Sequence, residues 1–139
     1  GWNIIKRSSN ANPDTETDIV IGDTMGELLA FYGTADIAFV GGSLVPVGGH
    51  NLIEPAAWAC PVISGPHLFN FSEVERLLQE NNALAIAKNS DELVAAIKNL
   101  LTDEELRINA GERANQVANN NRGALKKLCA LIAEIKKAA

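Results

Sequence analysis

The 139-residue sequence has few cysteines and no long apolar segment. Its two cysteines, Cys60 and Cys129, show no CxxC spacing and no neighbouring histidine, so neither a zinc site nor a disulfide framework is predicted. Isolated free cysteines usually lie buried, as small apolar side chains do. We therefore expect both to be buried thiols in a protein of a reducing compartment. No run of about 18 apolar residues occurs, and therefore no membrane-spanning helix is predicted. No signal-peptide pattern is present either.

Positive charge is also scarce. The sequence has 12 Lys and Arg against 17 Asp and Glu, which gives a net charge of −5 and a pI near 5.0. This balance argues against a nucleic-acid partner, because phosphate backbones are met by clustered Lys and Arg. Hydrophobic residues make up 47%, which fits a single compact domain with its own core. Since the sequence starts at Gly1 inside a predicted strand and its only methionine is Met25, we expect a fragment whose missing part precedes it.

Short apolar runs alternate with segments of helical spacing along the chain. Strands are predicted over residues 2–6, 18–21, 36–40, 61–64 and 83–87. Helices are predicted over 25–32, 51–58, 71–79, from 90, 103–117 and 123–137. The alternation predicts an α/β fold with a doubly wound, Rossmann-like parallel sheet. The polar stretch 7–16 is predicted to be a loop.

Residues 40–58, VGGSLVPVGGHNLIEPAAW, are the stretch around which the prediction is organised. Two glycine pairs bracket a short loop after the clearest buried strand, and a helix is predicted to open at Asn51. A helix that starts there directs unpaired N–H groups and the positive end of its dipole at the cleft, where an anion is the natural guest. Trp58, near the end of this helix, is predicted to lie in the core.

Asn51 and Glu54 admit two interpretations. Asn51 is a good capping residue and Glu54 follows three positions later, so both side chains could serve the helix backbone. Alternatively, the Glu54 carboxylate could accept hydrogen bonds from two sugar hydroxyls, as acidic residues do with ribose in dinucleotide folds. The two roles are compatible.

Two more turns are predicted at the same edge of the sheet. The first, at 22–24, leads into a helix that Asp23 or Thr24 would cap. Gly26 is costly at a helix start, which favours a reason such as close ligand approach, whereas Glu27 is either a ligand-binding residue or a first-turn acid that favours the helix dipole. The second turn, at 65–67, contains His67, and Asn70 is a candidate cap for the next helix.

The two histidines, His50 and His67, both neighbour glycine-rich turns. Each could contact phosphate or carry a proton near neutral pH, although a loop histidine is more often merely exposed. No metal site is predicted, because neither histidine has a second ligand nearby in the sequence.

GDTMGEL (residues 22–28), VGGSLVPVGGHNLIEPAAW and PVISGP (61–66) resemble the carboxy-terminal half of the 3-deoxy-D-manno-octulosonic acid (Kdo) transferases, glycosyltransferase family 30. The block GGHNLIEP is the most specific part. The resemblance implies that residues 1–139 are the CMP-Kdo binding domain of a two-domain, GT-B glycosyltransferase whose amino-terminal acceptor domain is absent. Such enzymes move Kdo from CMP-Kdo to a lipid A precursor (lipid IVA) in lipopolysaccharide core biosynthesis, at the cytoplasmic face of the bacterial inner membrane. The fragment itself is expected to be soluble.

The resemblance also implies which residues hold the CMP part of the donor: Met25, Gly26, Glu27, Asn51, Leu52, Ile53 and Glu54. It implies no cofactor, no metal and no catalytic residue in this fragment, since the general base belongs to the other half. The fragment alone is therefore expected to bind CMP or CMP-Kdo weakly without turnover. Two alternatives stay open: the donor half of another GT-B enzyme that uses a UDP-sugar, and a non-catalytic nucleotide-binding module.

The last predicted helix, 123–137, carries an apolar stripe surrounded by lysines. It is either a basic amphipathic helix that touches anionic lipid headgroups or an ordinary packed helix with a solvated lysine face. The second interpretation is favoured.

Overall fold

The computed structural model describes residues 1–121. The predicted helix at 123–137 and Cys129 lie outside the described residues.

Five short strands are described, and every pair is parallel. They are β1 (Ile4–Lys6), β2 (Ile19–Ile21), β3 (Ala38–Val40), β4 (Val62–Ser64) and β5 (Leu84–Ile86). Each lies within a predicted strand, and β5 is at the edge of its sheet. The strands form two sheets: β1 pairs with β2, and the other three follow the order β3-β4-β5. This is the predicted α/β fold with parallel strands, although its sheet is divided in two.

The helices connect the strands as the spacing predicted. They are α1 (Leu28–Thr34), α2 (Ile53–Ala57), α3 (Ser72–Glu80), α4 (Ser90–Thr102) and α5 (Glu104–Asn120), with a 3₁₀ turn at Arg7–Ser9. Asp103 caps α5, because its side chain accepts from the Leu106 N–H. The cap of α4 is Asn89, whose side chain accepts from the Glu92 N–H, and the helix itself begins at Ser90.

The core lies on both faces of the β3-β4-β5 sheet. On one face, Val40 and Val62 pack with buried residues of α2, α3 and α5. On the other face, Ile63 packs against α4 through Leu100. Parallel strands covered on both faces explain why β3 and β4 read as continuous apolar runs. The loops that follow these strands are therefore anchored to a packed core.

Two predictions about single side chains are wrong. Trp58 is 52% exposed, because its ring lies against Gly33 of α1 at the surface. Asn70 does not cap α3: the cap position is Phe71, and it makes no side-chain capping bond. Instead, the Asn70 side chain lies against the loop between β3 and α2. A Cβ added at Gly48 in that loop would lie 2.1 Å from the Asn70 amide nitrogen.

We expect Gly111→Ala to destabilise the fold by about 1–2 kcal/mol, although alanine favours helices by about 1 kcal/mol over glycine. An added Cβ at Gly111, in the middle of α5, would lie only 2.0 Å from the Ala59 carbonyl oxygen. The added methyl group forces α5 away from the turn at Ala59. The free-energy cost of this separation exceeds the gain in helix propensity. Urea denaturation measures the change in the free energy of unfolding.

Asn109→Ala is the matched control, because Asn109 is an exposed residue of the same helix. This variant should be neutral or slightly more stable. If Gly111→Ala were as stable as Asn109→Ala, the close approach of α5 to Ala59 would be refuted.

Candidate functional site

The loop between β3 and α2 owes its shape to glycine. Gly42, Gly48 and Gly49 have φ angles of +68°, +107° and +74°, which side-chain-bearing residues rarely adopt. The Gly49 N–H donates to the Gly42 carbonyl at 2.8 Å and closes the loop on itself. The loop after β3 is therefore held in one conformation by its own backbone.

Ser43 ties this loop to the turn that follows β4. Its buried hydroxyl donates to the Val40 carbonyl at 2.7 Å and accepts from the Gly65 N–H at 2.8 Å. The Ser43 carbonyl also accepts from the His67 N–H at 3.0 Å. The sequence analysis did not single out Ser43; a small hydroxyl residue directly after a glycine pair was the available signal. The two loops thus lie together at the carboxyl edge of the sheet, as predicted.

Asn51 and Glu54 are joined to each other. The Asn51 side-chain oxygen accepts from the Ile53 N–H at 3.0 Å, and its amide donates to the Glu54 carboxylate at 3.1 Å. This resembles an Asx turn more than a capping box, since Glu54 bonds the Asn51 side chain and α2 starts two residues later than predicted, at Ile53. Because α2 has only five residues, the contribution of its dipole is small, and oriented local N–H groups are the main donors here.

The two apolar residues of this segment differ in exposure. Leu52 is wholly buried in the core, so only its backbone can reach a ligand. Ile53 is partly buried and packs against the same core. The segment is thereby anchored on its inner side.

The loop after β2 is bonded to the turn after β1. The Asp23 carboxylate accepts from the backbone N–H and the hydroxyl of Ser8 at 2.9 and 2.7 Å. The Glu27 carboxylate accepts from the Thr24 hydroxyl and from the Arg7 guanidinium, the latter at 2.9 Å. These bonds lower the pKa of Asp23, through Ser8, and of Glu27, through Thr24 first and Arg7 second. Both carboxylates are accordingly stabilised in the ionised form.

Between these bonded residues, Met25 and Gly26 form the tip of the turn. Met25 is 98% exposed, and Gly26 has a φ of +83°. Gly26 lies before α1, which begins at Leu28, and is therefore not a residue of the helix start as predicted. Its positive φ, which an alanine would strain, is the physical reason for glycine here.

Some roles in this loop were not predicted. Neither Asp23 nor Thr24 caps α1, since the cap position is Glu27 and it makes no side-chain capping bond. Arg7 and Ser8 belong to the stretch that the sequence analysis treated only as a polar loop. Their position directly after a strand was the signal that could have found them.

Helices α1 and α2 bring the two halves of the site toward each other. Burial raises the pKa of Tyr32 on α1, and the charge of Glu54 on α2 raises it further. A Cβ at Gly33 would lie 3.0 Å from the Trp58 ring, which marks the contact between the same helices. Within residues 1–121, no hydrogen bond joins Met25–Glu27 directly to Asn51–Glu54.

The two histidines and Cys60 are the remaining titratable side chains near the loops. His50 is exposed and its ring lies beside Gly42, whereas His67 is partly buried. Cys60 is buried, as predicted, and burial raises the pKa of its thiol to about 11, with Asp36 adding to the effect. Across the described part of the chain, no group of three His, Cys, Asp or Glu side chains is arranged to hold a metal ion. Nor does any helix described here have the length and apolarity to cross a membrane.

An open parallel sheet with glycine-shaped loops at its carboxyl edge defines a Rossmann-like α/β domain of the kind found in GT-B glycosyltransferases. Comparison with known families identifies the family to which this domain belongs. The chain belongs to the family described as glycosyl transferases group 1, whose model matches residues 3–117.

Sequence identity to individual proteins gives a more specific relationship. The chain is 46% identical over 132 residues to 3-deoxy-D-manno-octulosonic acid transferase of Haemophilus influenzae, which covers 94% of this chain and 31% of that protein. It is 39% identical over 87 residues to the Aquifex aeolicus enzyme of the same name, covering 63% of this chain and 25% of that protein. The predicted resemblance to the Kdo transferases is confirmed.

A solved structure is also similar. It is the C-terminal CMP-Kdo binding domain of WaaA from Acinetobacter baumannii, with a TM-score of 0.79 and 32% identity over 84% of this chain and 61% of that one. The chain thus spans less than a third of the two transferases and about three fifths of this solved domain.

Proposed function

We propose that this chain is the donor-binding domain of a Kdo transferase and binds CMP-Kdo at the carboxyl edge of its sheet. The observation that carries the proposal is the match to the CMP-Kdo binding domain of the Acinetobacter protein. The glycine-shaped loop and the Asn51–Glu54 segment supply the anion-binding and hydroxyl-binding groups that a nucleoside monophosphate requires. The longer protein would transfer Kdo to a lipid A precursor, lipid IVA, in lipopolysaccharide core biosynthesis.

In the proposed site, Glu54 accepts hydrogen bonds from the ribose hydroxyls. Its carboxylate is partly exposed, and the Asn51 amide leaves part of its acceptor capacity unused. Asn51 and the backbone N–H groups near it hold the phosphate. Leu52 contributes only its backbone, and Ile53, whose N–H donates to the Asn51 side-chain oxygen, keeps the turn in shape beside the ligand.

Met25, Gly26 and Glu27 frame the nucleotide from the loop after β2. Gly26 lets the backbone approach the ligand, and the exposed Met25 side chain offers an apolar surface to the base. Glu27 is held by Arg7 and Thr24, so the turn keeps its position when the nucleotide leaves.

During transfer, the bond between Kdo and the CMP phosphate breaks and negative charge accumulates on the departing phosphate. N–H groups already oriented by the loop stabilise that charge. The base that deprotonates the acceptor hydroxyl would come from an amino-terminal domain, as would the acceptor site. The complete enzyme would act at the cytoplasmic face of the inner membrane, where such an acceptor is available.

A titration of the isolated chain with CMP and with UMP, followed by amide NMR, tests the proposal. We expect CMP to bind more tightly than UMP and to shift the amides of Gly26, Ile53 and Glu54. No transfer of Kdo by the isolated chain is expected, because the chain spans less than a third of the transferases that it matches. Preference for UMP would indicate a UDP-sugar enzyme instead, and absence of binding to either would refute a nucleotide site.

A further inference from the structure

The ring of His50 lies exposed in the proposed donor site. Its Cδ2 and Nε2 atoms lie beside Gly42, 3.2 Å from the position that a Cβ would take there. The hydrogen bonds of this loop and of the Asn51 turn do not involve the ring, and within residues 1–121 neither of its nitrogens is hydrogen-bonded. Contact with a glycine satisfies no polar atom of the ring. Its nitrogens are therefore open to a ligand at this position.

The ligand named for the Acinetobacter domain, CMP-Kdo, carries two negative groups close together. Its sugar is an octulosonic acid. In a 2-ulosonic acid the carboxylate is attached to the anomeric carbon, and the phosphate of the activated sugar is bonded to that same carbon. A site that holds the phosphate must therefore also receive the carboxylate. An anion left there without a donor would weaken binding.

The Asn51 turn differs in charge at its two ends. The Glu54 carboxylate lies at one end, bonded to the Asn51 amide, so a second carboxylate is disfavoured there. His50 lies at the other end and has a ring N–H donor in either protonation state. The backbone N–H groups of His50 and Asn51 are also bonded to no other residue of the described range. The His50 end is therefore the favourable place for the carboxylate of the sugar.

Other positive side chains near this edge of the sheet are less suitable. Arg7, in the turn after β1, already donates to Glu27 and Asn10. Lys88 follows β5, which is separated from β3 by β4 and the turn after it. His50, in contrast, is the direct neighbour of the turn that is proposed to hold the phosphate.

We infer that His50 recognises the carboxylate of the donor sugar by donating a ring N–H to it. The inference rests on the proposed function and adds the residue that distinguishes an acidic sugar nucleotide from the nucleotide alone. The N–H groups of the Asn51 turn bind the phosphate, Glu54 binds the ribose, and His50 binds the acidic group next to the bond that breaks. A hydrogen bond to a charged group is short and directional, so it also orients the anomeric carbon.

Two substitutions separate recognition from packing. His50→Phe keeps a ring beside Gly42 and removes both nitrogens, whereas His50→Arg removes the ring and retains a charged donor suited to a carboxylate. Isothermal titration calorimetry of the 139-residue chain with CMP and with freshly prepared CMP-Kdo gives both affinities. We expect His50→Phe to weaken CMP-Kdo at least about tenfold and CMP less than about twofold. His50→Arg should keep most of the affinity for CMP-Kdo.

His67→Phe is the matched control, because His67 lies in the neighbouring turn after β4. It should change the affinities for CMP and CMP-Kdo by equal factors. Selective loss of CMP-Kdo in His67→Phe, and not in His50→Phe, would place the carboxylate over the other turn and overturn the inference. Urea denaturation shows whether each variant is folded.

Other patterns contradict the role of His50. Equal losses of CMP and CMP-Kdo in His50→Phe would assign the ring to the phosphate. Normal binding by His50→Phe together with weak binding by His50→Arg would show that the ring only packs on Gly42. In either case the nucleotide site itself would stand. Failure of the original protein to bind CMP would instead refute the proposed function, and this inference with it.

A second measurement needs no variant. In long-range ¹H–¹⁵N spectra of the original protein, the ring nitrogens of His50 should shift on addition of CMP-Kdo and much less on addition of CMP. Those of His67 should respond alike to both ligands. Identical His50 shifts with the two ligands would overturn the inference.

Discussion

Gly65→Ala is expected to destabilise the protein by about 3 kcal/mol and to weaken CMP binding at the same time. A Cβ on Gly65 would lie 2.2 Å from the Ser43 carbonyl oxygen and 2.5 Å from the Leu44 nitrogen. Both contacts are with backbone atoms, so no side-chain rotation relieves them. The loops after β3 and β4 must therefore separate, which also breaks the bond from Gly65 to the Ser43 hydroxyl. Urea denaturation and a CMP titration measure the two effects.

Gly41→Ala is the control for this experiment. Gly41 lies in the same group of loops, but a Cβ there meets no atom within 4 Å and its φ is not positive. We expect its stability and CMP affinity to stay near those of the original protein. If Gly65→Ala behaved like Gly41→Ala, the close contact between the two loops would be wrong.

Glu54→Gln should lower the affinity for CMP by about 10- to 100-fold, since hydrogen bonds to a charged group contribute about 1.5–3 kcal/mol. Glutamine keeps the size of the side chain and can still accept from the Asn51 amide, so the turn is retained. Isothermal titration calorimetry measures the affinity. Glu112→Gln, on the exposed surface of α5, is the matched control and should bind CMP normally.

The single tyrosine provides an independent check of the same variant. The charge of Glu54 contributes to the raised pKa of Tyr32, so Glu54→Gln should move that pKa down toward its ordinary value. An ultraviolet pH titration detects this shift. A lowered tyrosine pKa with unchanged CMP affinity would show that Glu54 serves only the turn and the packing of α2.

The sequence predicted the parallel α/β fold because its strongest signals were local. The apolar run before Gly41 and the helix start at Asp103 depend on residues close together in the chain, and the structure confirms both. Trp58 was misplaced because its burial depends on how α1 crosses α2, which no local pattern specifies. The division of the sheet was likewise unpredictable, since pairing between β1 and β3 is a matter of long-range order.

The candidate site was predicted in part for the same reason. The glycine pairs and the Asn51–Glu54 spacing are visible in the sequence. In the structure the glycine pairs close the loop through the Gly49–Gly42 bond, and Asn51 and Glu54 are hydrogen-bonded within a turn. Ser43 and Arg7 were missed, because their importance comes from partners 22 and 20 residues away, Gly65 and Glu27. The role of Met25, Gly26 and Glu27 in holding CMP remains a prediction.

The left-handed glycines at 42, 48 and 49 have a consequence for protein engineering. The course of the loop is specified by main-chain torsion angles and by the buried Ser43 hydroxyl, so the exposed side chains of the loop have little part in its shape. Directed evolution toward a different donor sugar should therefore diversify Met25, Glu27, Asn51, Ile53 and Glu54, and leave the glycines and the buried Leu52 untouched. Libraries that vary the glycines would consist mostly of misfolded members.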